Sequence, residues 1–200
     1  MKIYPFSALL SRMKYITRWG LMRCTRVETL SEHTAETAQL AHLLCLMARE
    51  KFGAQVRADR VAVAALYHDA SEIITGDLPT PVKYRNGRIS SAYKAVEREA
   101  ELSYLPLLPE ELRGEMGPLL TGEALNEREA AILKAADKLS ALIKCIEEEQ
   151  SGNREFAAAK AAQLTALEGM ELPEVAFFLQ TMLPAYTSTL DGLMKGGEEE

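Results

Sequence analysis

Alanine, leucine and glutamate recur at helical spacing along almost the whole chain, and this pattern constrains the fold more than any other feature. Apolar residues three or four positions apart lie on one face of an α-helix, whereas a half-buried strand requires strict alternation of apolar and polar residues. Alternating runs of valine, isoleucine and threonine are almost absent from the sequence. The sequence therefore predicts an all-α fold.

Cap residues, glycines and prolines divide this pattern into helices. Helices are predicted over about residues 6–15, 33–50, 59–69, 89–104, 126–149, 154–168 and 173–190. Gly76, Pro79 and Pro81 are expected to stop helical structure through residue 81, and the prolines and glycines of residues 106–118 indicate short turns. A chain of 200 residues suits one core, so residues 1–200 are predicted to form a single domain, with a frayed acidic tail from about 195 to 200.

Charge and cysteine content narrow the class of function. The chain has 23 Lys and Arg against 29 Asp and Glu, a net charge of −6, so binding to a nucleic-acid polymer is not expected. A single nucleotide needs only one or two cationic groups and stays compatible with this charge. The amino-terminal apolar run is broken by Ser11, Arg12 and Lys14, which predicts neither a signal peptide nor contact with a membrane. The three cysteines show no CxxC spacing, which favours a reducing cytoplasm.

Three short segments place imidazoles or carboxylates within small or apolar helical runs: 31–33, 67–72 and 135–138. An ionisable group is costly to bury without a partner, and a divalent cation would compensate the carboxylates. Two imidazoles and two carboxylates form a mixed nitrogen and oxygen donor set without a thiolate. Such a set is typical of a hydrolytic metal site rather than of a structural zinc site.

Helical spacing adds a second inference about this site. Glu72 follows His68 by four residues and Asp69 by three, so in one continuous helix it shares their face and suits an acid–base role. His42 follows His33 by nine residues, about half a turn from the same face, and is not expected to be a ligand. With three histidines in the chain, the sequence predicts one metal ion rather than a histidine-rich dinuclear cluster.

The order and type of His33, the dipeptide His68-Asp69 and Asp137 resemble the H…HD…D signature of the HD-domain superfamily of metal-dependent phosphohydrolases. Longer strings, including Arg18-Trp19 and residues 67–72 and 75–84, are similar to the bacterial HD-domain 5′-deoxynucleotidase family. The resemblance covers about residues 6–156, and the remaining C-terminal part matches mainly in helical character. It implies a single-domain HD-type helical bundle.

The resemblance implies hydrolysis of deoxyribonucleoside 5′-monophosphates to deoxyribonucleoside and phosphate. It also implies a homodimer in which each site holds one divalent ion such as cobalt, manganese or copper. The implied metal ligands are His33, His68, Asp69 and Asp137.

The same resemblance implies roles in catalysis and substrate binding. Glu72 and Asp77 match positions that support water attack and proton transfer, and Arg18 matches the residue that orients the phosphate. The residues implied to contact substrate are Arg18, Trp19, His33, Asp69, Asp77, Leu78, Pro79, Thr80 and Asp137. A guanidinium can bind phosphate oxygens through two parallel hydrogen bonds, and a proline-stiffened loop can leave no space for a 2′-hydroxyl.

Two other functions stay open. The chain could be an HD phosphohydrolase for nucleoside triphosphates, cyclic nucleotides or an alarmone, although such enzymes usually carry extra lobes. It could also be a helical binding module whose metal is structural or regulatory. Glu72 argues against the second, since a purely structural site has no need of a further carboxylate on its metal face. For Arg18-Trp19 the alternative is a core aromatic with a solvated neighbour, and for Asp77 it is a turn residue after Gly76.

Overall fold

The computed structural model describes residues 2–83 and 85–195, and gives the backbone alone for Thr80. Within these residues there is no strand, and the extended pairing is one isolated bridge between Thr17 and Thr29. The prediction of an all-α fold is confirmed, and the helices form a single helical domain.

The described part of the chain contains eleven α-helices, joined by short 3₁₀ turns. They are α1 Phe6–Leu10, α2 Leu30–Glu50, α3 Ala58–Ala65, α4 Glu72–Thr75, α5 Thr80–Lys83, α6 Gly87–Ser103, α7 Glu110–Leu120, α8 Glu127–Gln150, α9 Ala157–Glu168, α10 Pro173–Thr181 and α11 Leu190–Met194. The two longest helices, α2 and α8, each begin with a capping box, from Thr29 to Glu32 and from Asn126 to Glu129. Reciprocal capping fixes where each helix starts, and both helices carry candidate site residues.

The main core lies between α2 and α8, with α3, α9 and α10 packed around them. Leu44 of α2 and Leu139 and Ile143 of α8 are buried in it. Burial of each such side chain contributes about 1.5–3 kcal/mol to the free energy of unfolding. Because His33 and Asp137 belong to the same two helices, packing of this core sets their relative position.

A second, smaller core supports the turn between α3 and α4. It consists of buried residues from α1, this turn, the segment between α6 and α7, and α7: Phe6, Ala70, Tyr104, Leu108 and Leu120. The Tyr104 hydroxyl donates a hydrogen bond of 2.6 Å to the carbonyl of Ala70. This contact holds the turn that carries the His68-Asp69 dipeptide.

The helix predicted over 59–69 ends earlier, and the condition that one continuous helix carries both His68 and Glu72 is not met. α3 ends at Ala65, and α4 begins at Glu72. Between them the backbone amides of Tyr67 and Ala70 bond to carbonyls three residues earlier, as in a 3₁₀ turn. The His68 side chain also donates through Nδ1 to the carbonyl of Ala65, at 2.7 Å, which replaces a helical hydrogen bond of that carbonyl.

Two other boundaries differ from the predictions because local signals compete with packing. Residues 110–120 form α7 rather than turns, since the buried side chains of Leu119 and Leu120 hold Pro118 within its last turn. The predicted helix over 173–190 ends at Thr181, and residues 183–187 form a 3₁₀ turn. Pro184 in that turn has no amide hydrogen with which to continue the helix.

No helix in the described stretches combines the length and apolarity that crossing a bilayer requires. The predicted frayed tail falls mainly on residues 196–200, which lie outside the described residues. The single-domain boundary of 1–200 therefore stays a prediction.

Candidate metal centre and substrate site

Four predicted ligands converge from α2, the α3–α4 turn and α8. His33, His68 and Asp69 each offer a ligand atom, and these atoms lie within 4.8 Å of one another. His68 Nε2 is 3.1 Å and His33 Nε2 is 3.5 Å from Asp69 Oδ2. Asp137 Oδ1 lies 3.2 Å from His33 Nε2. His42 is exposed on α2, whereas His33 is fully buried, so the two imidazoles occupy different faces of the helix.

The two imidazoles are oriented as metal ligands require. The Nε2 atoms of His33 and His68 are buried and make no well-formed hydrogen bond to any described residue. Because His68 Nδ1 donates to the carbonyl of Ala65, the lone pair of neutral His68 is on Nε2, beside Asp69. Buried polar atoms normally have partners, so a cation that accepts both lone pairs fits these residues.

Electrostatics at the cluster favour ionised carboxylates. Burial opposes the charge on Asp69, but His68 and His33 hold the pKa of Asp69 well below its usual range. Burial likewise opposes ionisation of Asp137, and contact with His33 lowers its pKa. Burial disfavours protonated His68, yet the charge of Asp69, its hydrogen bond to His68, the charge of Asp137 and the Ala65 carbonyl together raise the pKa of His68 to about 9. A divalent ion that binds these two carboxylates and two imidazoles would displace the proton from His68.

Behind His33 lies a buried polar chain that sequence reasoning missed. His33 Nδ1 is 2.9 Å from Ser140 Oγ, and Ser140 Oγ donates to Glu36 Oε2 at 2.6 Å. Burial raises the pKa of Glu36, and the hydrogen bond from Ser140 partly offsets this. Glu36 follows His33 by three residues and Ser140 follows Asp137 by three, so helical spacing from each ligand could have found both.

Glu72 lies at the start of α4, close to the ligand cluster, with 7% of its surface exposed. Its Oε2 atom is buried and has no hydrogen-bond partner among the residues described. Burial, followed by the negative charges of Asp69 and Asp77, raises the pKa of Glu72 to about 9. A carboxyl in this environment can carry a proton at neutral pH.

Arg18 and Trp19 approach the same region from the segment between α1 and α2. The backbone of Trp19 is left-handed, with φ of 63°, and its N–H donates to Asp77 Oδ2 at 3.2 Å. The Trp19 indole donates to Glu28 Oε2 at 2.7 Å and packs on Phe156, with ring centroids 5.1 Å apart. The Arg18 guanidinium lies 5.9 Å from the Trp19 ring centre, and one of its nitrogens is buried without a partner in the described chain.

A buried carboxylate on α8 holds the far part of this segment. Glu148, 1% exposed, accepts hydrogen bonds from the backbone N–H of Thr25 at 2.8 Å and of Arg26 at 3.3 Å. Lys144 Nζ donates to Glu148 and to the carbonyl of Arg26, at 2.5 and 2.7 Å. Burial opposes ionisation of Glu148, but its hydrogen bonds, led by that from Lys144, hold its pKa well below the usual range. No sequence motif marks this contact.

The segment after α4 places Asp77 beside Trp19. Gly76 has φ of 72°, a conformation that favours glycine, and the Tyr93 hydroxyl donates to its carbonyl at 3.2 Å. Leu78 and Pro79 follow as half-buried residues. The side chain of Thr80, the last predicted substrate contact of this segment, lies outside what the structure describes.

Comparison with known sequences places this site within a family. Residues 5–186 match the family described as 5′-deoxynucleotidase YfbR-like. The chain belongs to the YfbR-like 5′-deoxynucleotidase family. The 5′-deoxynucleotidase YfbR of Salmonella paratyphi B is 46% identical over 191 residues, covering 96% of this chain and 96% of that protein. The resemblance expected from the HD signature is therefore confirmed, and YfbR-like proteins are metal-dependent phosphohydrolases of the HD class.

Solved structures give the same fold for this YfbR-like chain. An HD-domain phosphohydrolase from Listeria innocua superposes with a TM-score of 0.81 at 26% identity, covering 98% of this chain and 93% of that one. The HD phosphohydrolase of cyanophage S-2L, bound to dA and one catalytic Zn²⁺ ion, gives a TM-score of 0.65 at 18% identity. That match covers 87% of this chain and 94% of the phage protein, and it supports the likeness of fold.

Proposed function

We propose that this YfbR-like protein hydrolyses deoxyribonucleoside 5′-monophosphates to deoxyribonucleoside and inorganic phosphate. The observation that carries the proposal is the meeting of His33, His68, Asp69 and Asp137 around two buried, unbonded imidazole nitrogens within the described residues. The relative named 5′-deoxynucleotidase, at 46% identity, supports the reaction. The phage phosphohydrolase bound to dA supports a deoxynucleoside as part of the substrate.

His33, His68, Asp69 and Asp137 would hold one divalent ion. When bound, such an ion lowers the pKa of water and polarises a phosphoryl oxygen. Cobalt, manganese and copper are the ions we propose, because the family resemblance implies them and imidazole and carboxylate donors are compatible with each. Zinc is included in the substrate panel described below because the phage protein is bound to Zn²⁺. Besides binding the ion, His33, Asp69 and Asp137 are assigned contacts with the substrate, as the family resemblance implies.

Arg18 is assigned to the phosphate. Its guanidinium has a buried nitrogen without a partner in the described chain, so a phosphate oxygen would complete its hydrogen bonding. Bidentate binding by a guanidinium also orients the phosphorus atom, which a lysine would do less well. Trp19 beside it is held by Glu28 and Phe156 and forms a rigid wall for the nucleoside.

Glu72 and Asp77 are assigned the proton transfers. The buried Oε2 of Glu72 can release a proton to the departing O5′ oxygen and take one from the attacking water. Asp77 Oδ2 accepts a hydrogen bond from the backbone N–H of Trp19. This bond joins a residue assigned to proton transfer to the residue assigned to contact the nucleoside. Leu78, Pro79 and Thr80 are assigned to the sugar, where a stiff segment would leave no space for a 2′-hydroxyl.

The proposal also includes a homodimer in the cytoplasm. The family resemblance supports the dimer, which sedimentation equilibrium would test by giving twice the mass of one chain. The three cysteines, all free thiols, support a reducing compartment. Fractionation of cells that express the tagged protein tests the location.

A substrate panel tests the proposed reaction. Protein reconstituted with each of Co²⁺, Mn²⁺, Cu²⁺ and Zn²⁺ is incubated with matched deoxy- and ribonucleoside monophosphates, triphosphates and a cyclic nucleotide. Phosphate, pyrophosphate and nucleoside are all measured. We expect phosphate and nucleoside in equal amounts from deoxyadenylate and thymidylate. If both persist with every ion, the proposed activity is wrong, and release of pyrophosphate would favour another HD phosphohydrolase reaction.

A further inference from the structure

A chain of three side chains runs from the ligand cluster through the contact between α2 and α8. His33 and Ser140 are fully buried, and Glu36 is half-buried beside them. The distances are 2.9 Å from His33 Nδ1 to Ser140 Oγ and 2.6 Å from Ser140 Oγ to Glu36 Oε2. Each bond crosses between the two helices, so the chain joins the helix that carries His33 to the helix that carries Asp137.

The chemistry of the three groups fixes where the protons lie. An ionised carboxylate can only accept, so Ser140 uses its single hydroxyl hydrogen toward Glu36. Ser140 Oγ is then an acceptor toward His33, and the imidazole must donate through Nδ1–H. This places the lone pair of neutral His33 on Nε2, the atom that lies 3.2 Å from Asp137 and 3.5 Å from Asp69.

An alternative partner for His33 is poorly placed. Thr37 Oγ1 lies one helical turn along α2, 3.5 Å from Nδ1, which is at the limit of a hydrogen bond. A threonine at that distance cannot hold the ring as a bond of 2.9 Å does. Removal of Ser140 would therefore leave the ring orientation and the tautomer of His33 poorly determined.

We propose that Ser140 and Glu36 are positioning residues for the metal ion: they fix the Nδ1–H tautomer and the ring orientation of His33 so that Nε2 faces the ion. The inference rests on the metal site of the proposed function. Glu36 acts through Ser140, by polarising the hydroxyl and so strengthening its acceptance of the imidazole proton. Partners of this kind typically change metal affinity by about 10–100-fold when they are removed.

The test measures Co²⁺ binding by the visible absorption of the bound ion, independently of turnover. The variants are Ser140→Ala, Glu36→Gln and the double variant. Matched controls are Ser151→Ala, at the C-terminal end of the same helix, and Glu147→Gln, an exposed glutamate lining the same small polar cavity as Glu36. Phosphate release from deoxyadenylate and thermal unfolding of the metal-free proteins are recorded in parallel.

We expect Ser140→Ala to weaken Co²⁺ binding by about 10–100-fold, and Glu36→Gln, which keeps shape but not charge, by about threefold to tenfold. The double variant should match Ser140→Ala within about twofold, because in the described part of the chain the hydrogen-bonded path from Glu36 to His33 passes through Ser140. Kinetic losses should be restored at saturating Co²⁺, and unchanged thermal unfolding of the metal-free variants distinguishes weaker ion binding from a destabilised fold. Both controls should bind Co²⁺ as the unmodified protein does.

Co²⁺ affinity of Ser140→Ala and Glu36→Gln within twofold of the unmodified protein would overturn the inference, as would losses that simply add in the double variant. If Ser140→Ala does not fold, Glu36→Gln decides alone. If the unmodified protein binds Co²⁺ but releases no phosphate, the proposed reaction is wrong. The Co²⁺ affinities of the variants then still test the positioning role. If the unmodified protein binds no Co²⁺, both the proposed reaction and the positioning role are wrong.

Discussion

The backbone N–H of Trp19 donates to the Oδ2 atom of Asp77 across 3.2 Å, although 58 residues separate them in the chain. Trp19 adopts a left-handed conformation that is uncommon for a bulky residue and persists only where the surroundings hold it. Asp77 is one of those supports. The two segments assigned to substrate are therefore a single unit.

Replacement of Asp77 separates its hydrogen bond from its charge. Asp77→Ala removes the acceptor, so Trp19 loses a support and KM for deoxyadenylate should rise roughly tenfold or more, as expected for loss of a charge-assisted hydrogen bond. Asp77→Asn keeps an acceptor oxygen and should hold KM near that of the unmodified protein while lowering kcat. Steady-state phosphate release measures both. An Asp77→Ala protein with unchanged KM would contradict the coupling of the two segments.

Arg18→Ala should lower kcat/KM for deoxyadenylate by about 100-fold or more, since two charge-assisted hydrogen bonds to the phosphate are lost. Inhibition by inorganic phosphate should weaken by a comparable factor, whereas inhibition by deoxyadenosine should change by less than about threefold. Arg23→Ala is the matched control, because Arg23 lies in the same segment and its side chain is 94% exposed. Equal weakening of both product inhibitors would argue against a phosphate-specific role for Arg18.

Glu72→Gln should abolish proton transfer and leave the ion in place. We expect kcat to fall by about 10²–10⁴-fold, the usual contribution of a general acid or base. Co²⁺ should still bind one per chain with affinity within about threefold, and Glu99→Gln, at an exposed position, should be unaffected in both measurements. Retained turnover in Glu72→Gln would remove Glu72 from the chemistry, and loss of Co²⁺ would make it a ligand instead.

Periodicity in the sequence predicted where the long helices lie. It did not predict the helix boundaries that depend on tertiary contacts. Thr29 and Glu32 form the capping box of α2, so this helix begins at Leu30, three residues before the predicted start at residue 33. The break between α3 and α4 is not marked, because it depends on the Tyr104 hydroxyl reaching the carbonyl of Ala70 from 34 residues away. Pro118 indicates a turn locally, yet burial of its neighbours keeps it within a helix.

At the site, motif spacing found the ligand cluster, and it missed the side chains that hold the ligands. Ser140 lies three residues after Asp137 and Glu148 lies in the glutamate run after Lys144, but their partners, His33 and Thr25, lie on other segments. Sequence spacing is informative within one helix, whereas these bonds join residues more than 100 positions apart. The proximity of Glu72 to the ligands was predicted from a continuous helix and arises instead from a turn.

Glu129 gives a prediction about stability that is independent of the site. It is fully buried at the start of α8, where Arg57 donates to both carboxylate oxygens, at 2.8 and 2.5 Å. Hydrogen bonding from Arg57 lowers the pKa of Glu129 from 4.5 to about 2, against the opposing effect of burial. Glu129→Gln should lower the free energy of unfolding at pH 7 by about 2–3 kcal/mol, as urea denaturation would measure.

The pH dependence of that difference has a defined sign. A carboxyl whose pKa is depressed in the folded state stabilises above its unfolded pKa of about 4.5, and this contribution is lost as the pH falls toward about 2. The gap between the unmodified protein and Glu129→Gln should therefore shrink between pH 4.5 and pH 2. Glu127→Gln, exposed in the same helical turn, should show no comparable gap. If the difference in free energy of unfolding between the two proteins does not change with pH, the ion pair with Arg57 is not its cause.

Titration of metal-free protein with Co²⁺, followed at once by ion absorption and by phosphate release from deoxyadenylate, tests whether phosphate release depends on the bound ion. We expect both signals to rise together and to level off at one ion per chain. His68→Ala and Asp137→Ala, each lacking one ligand, should lose both signals in parallel. Phosphate release without bound ion, or ion bound equally well by the two variants, would contradict this dependence.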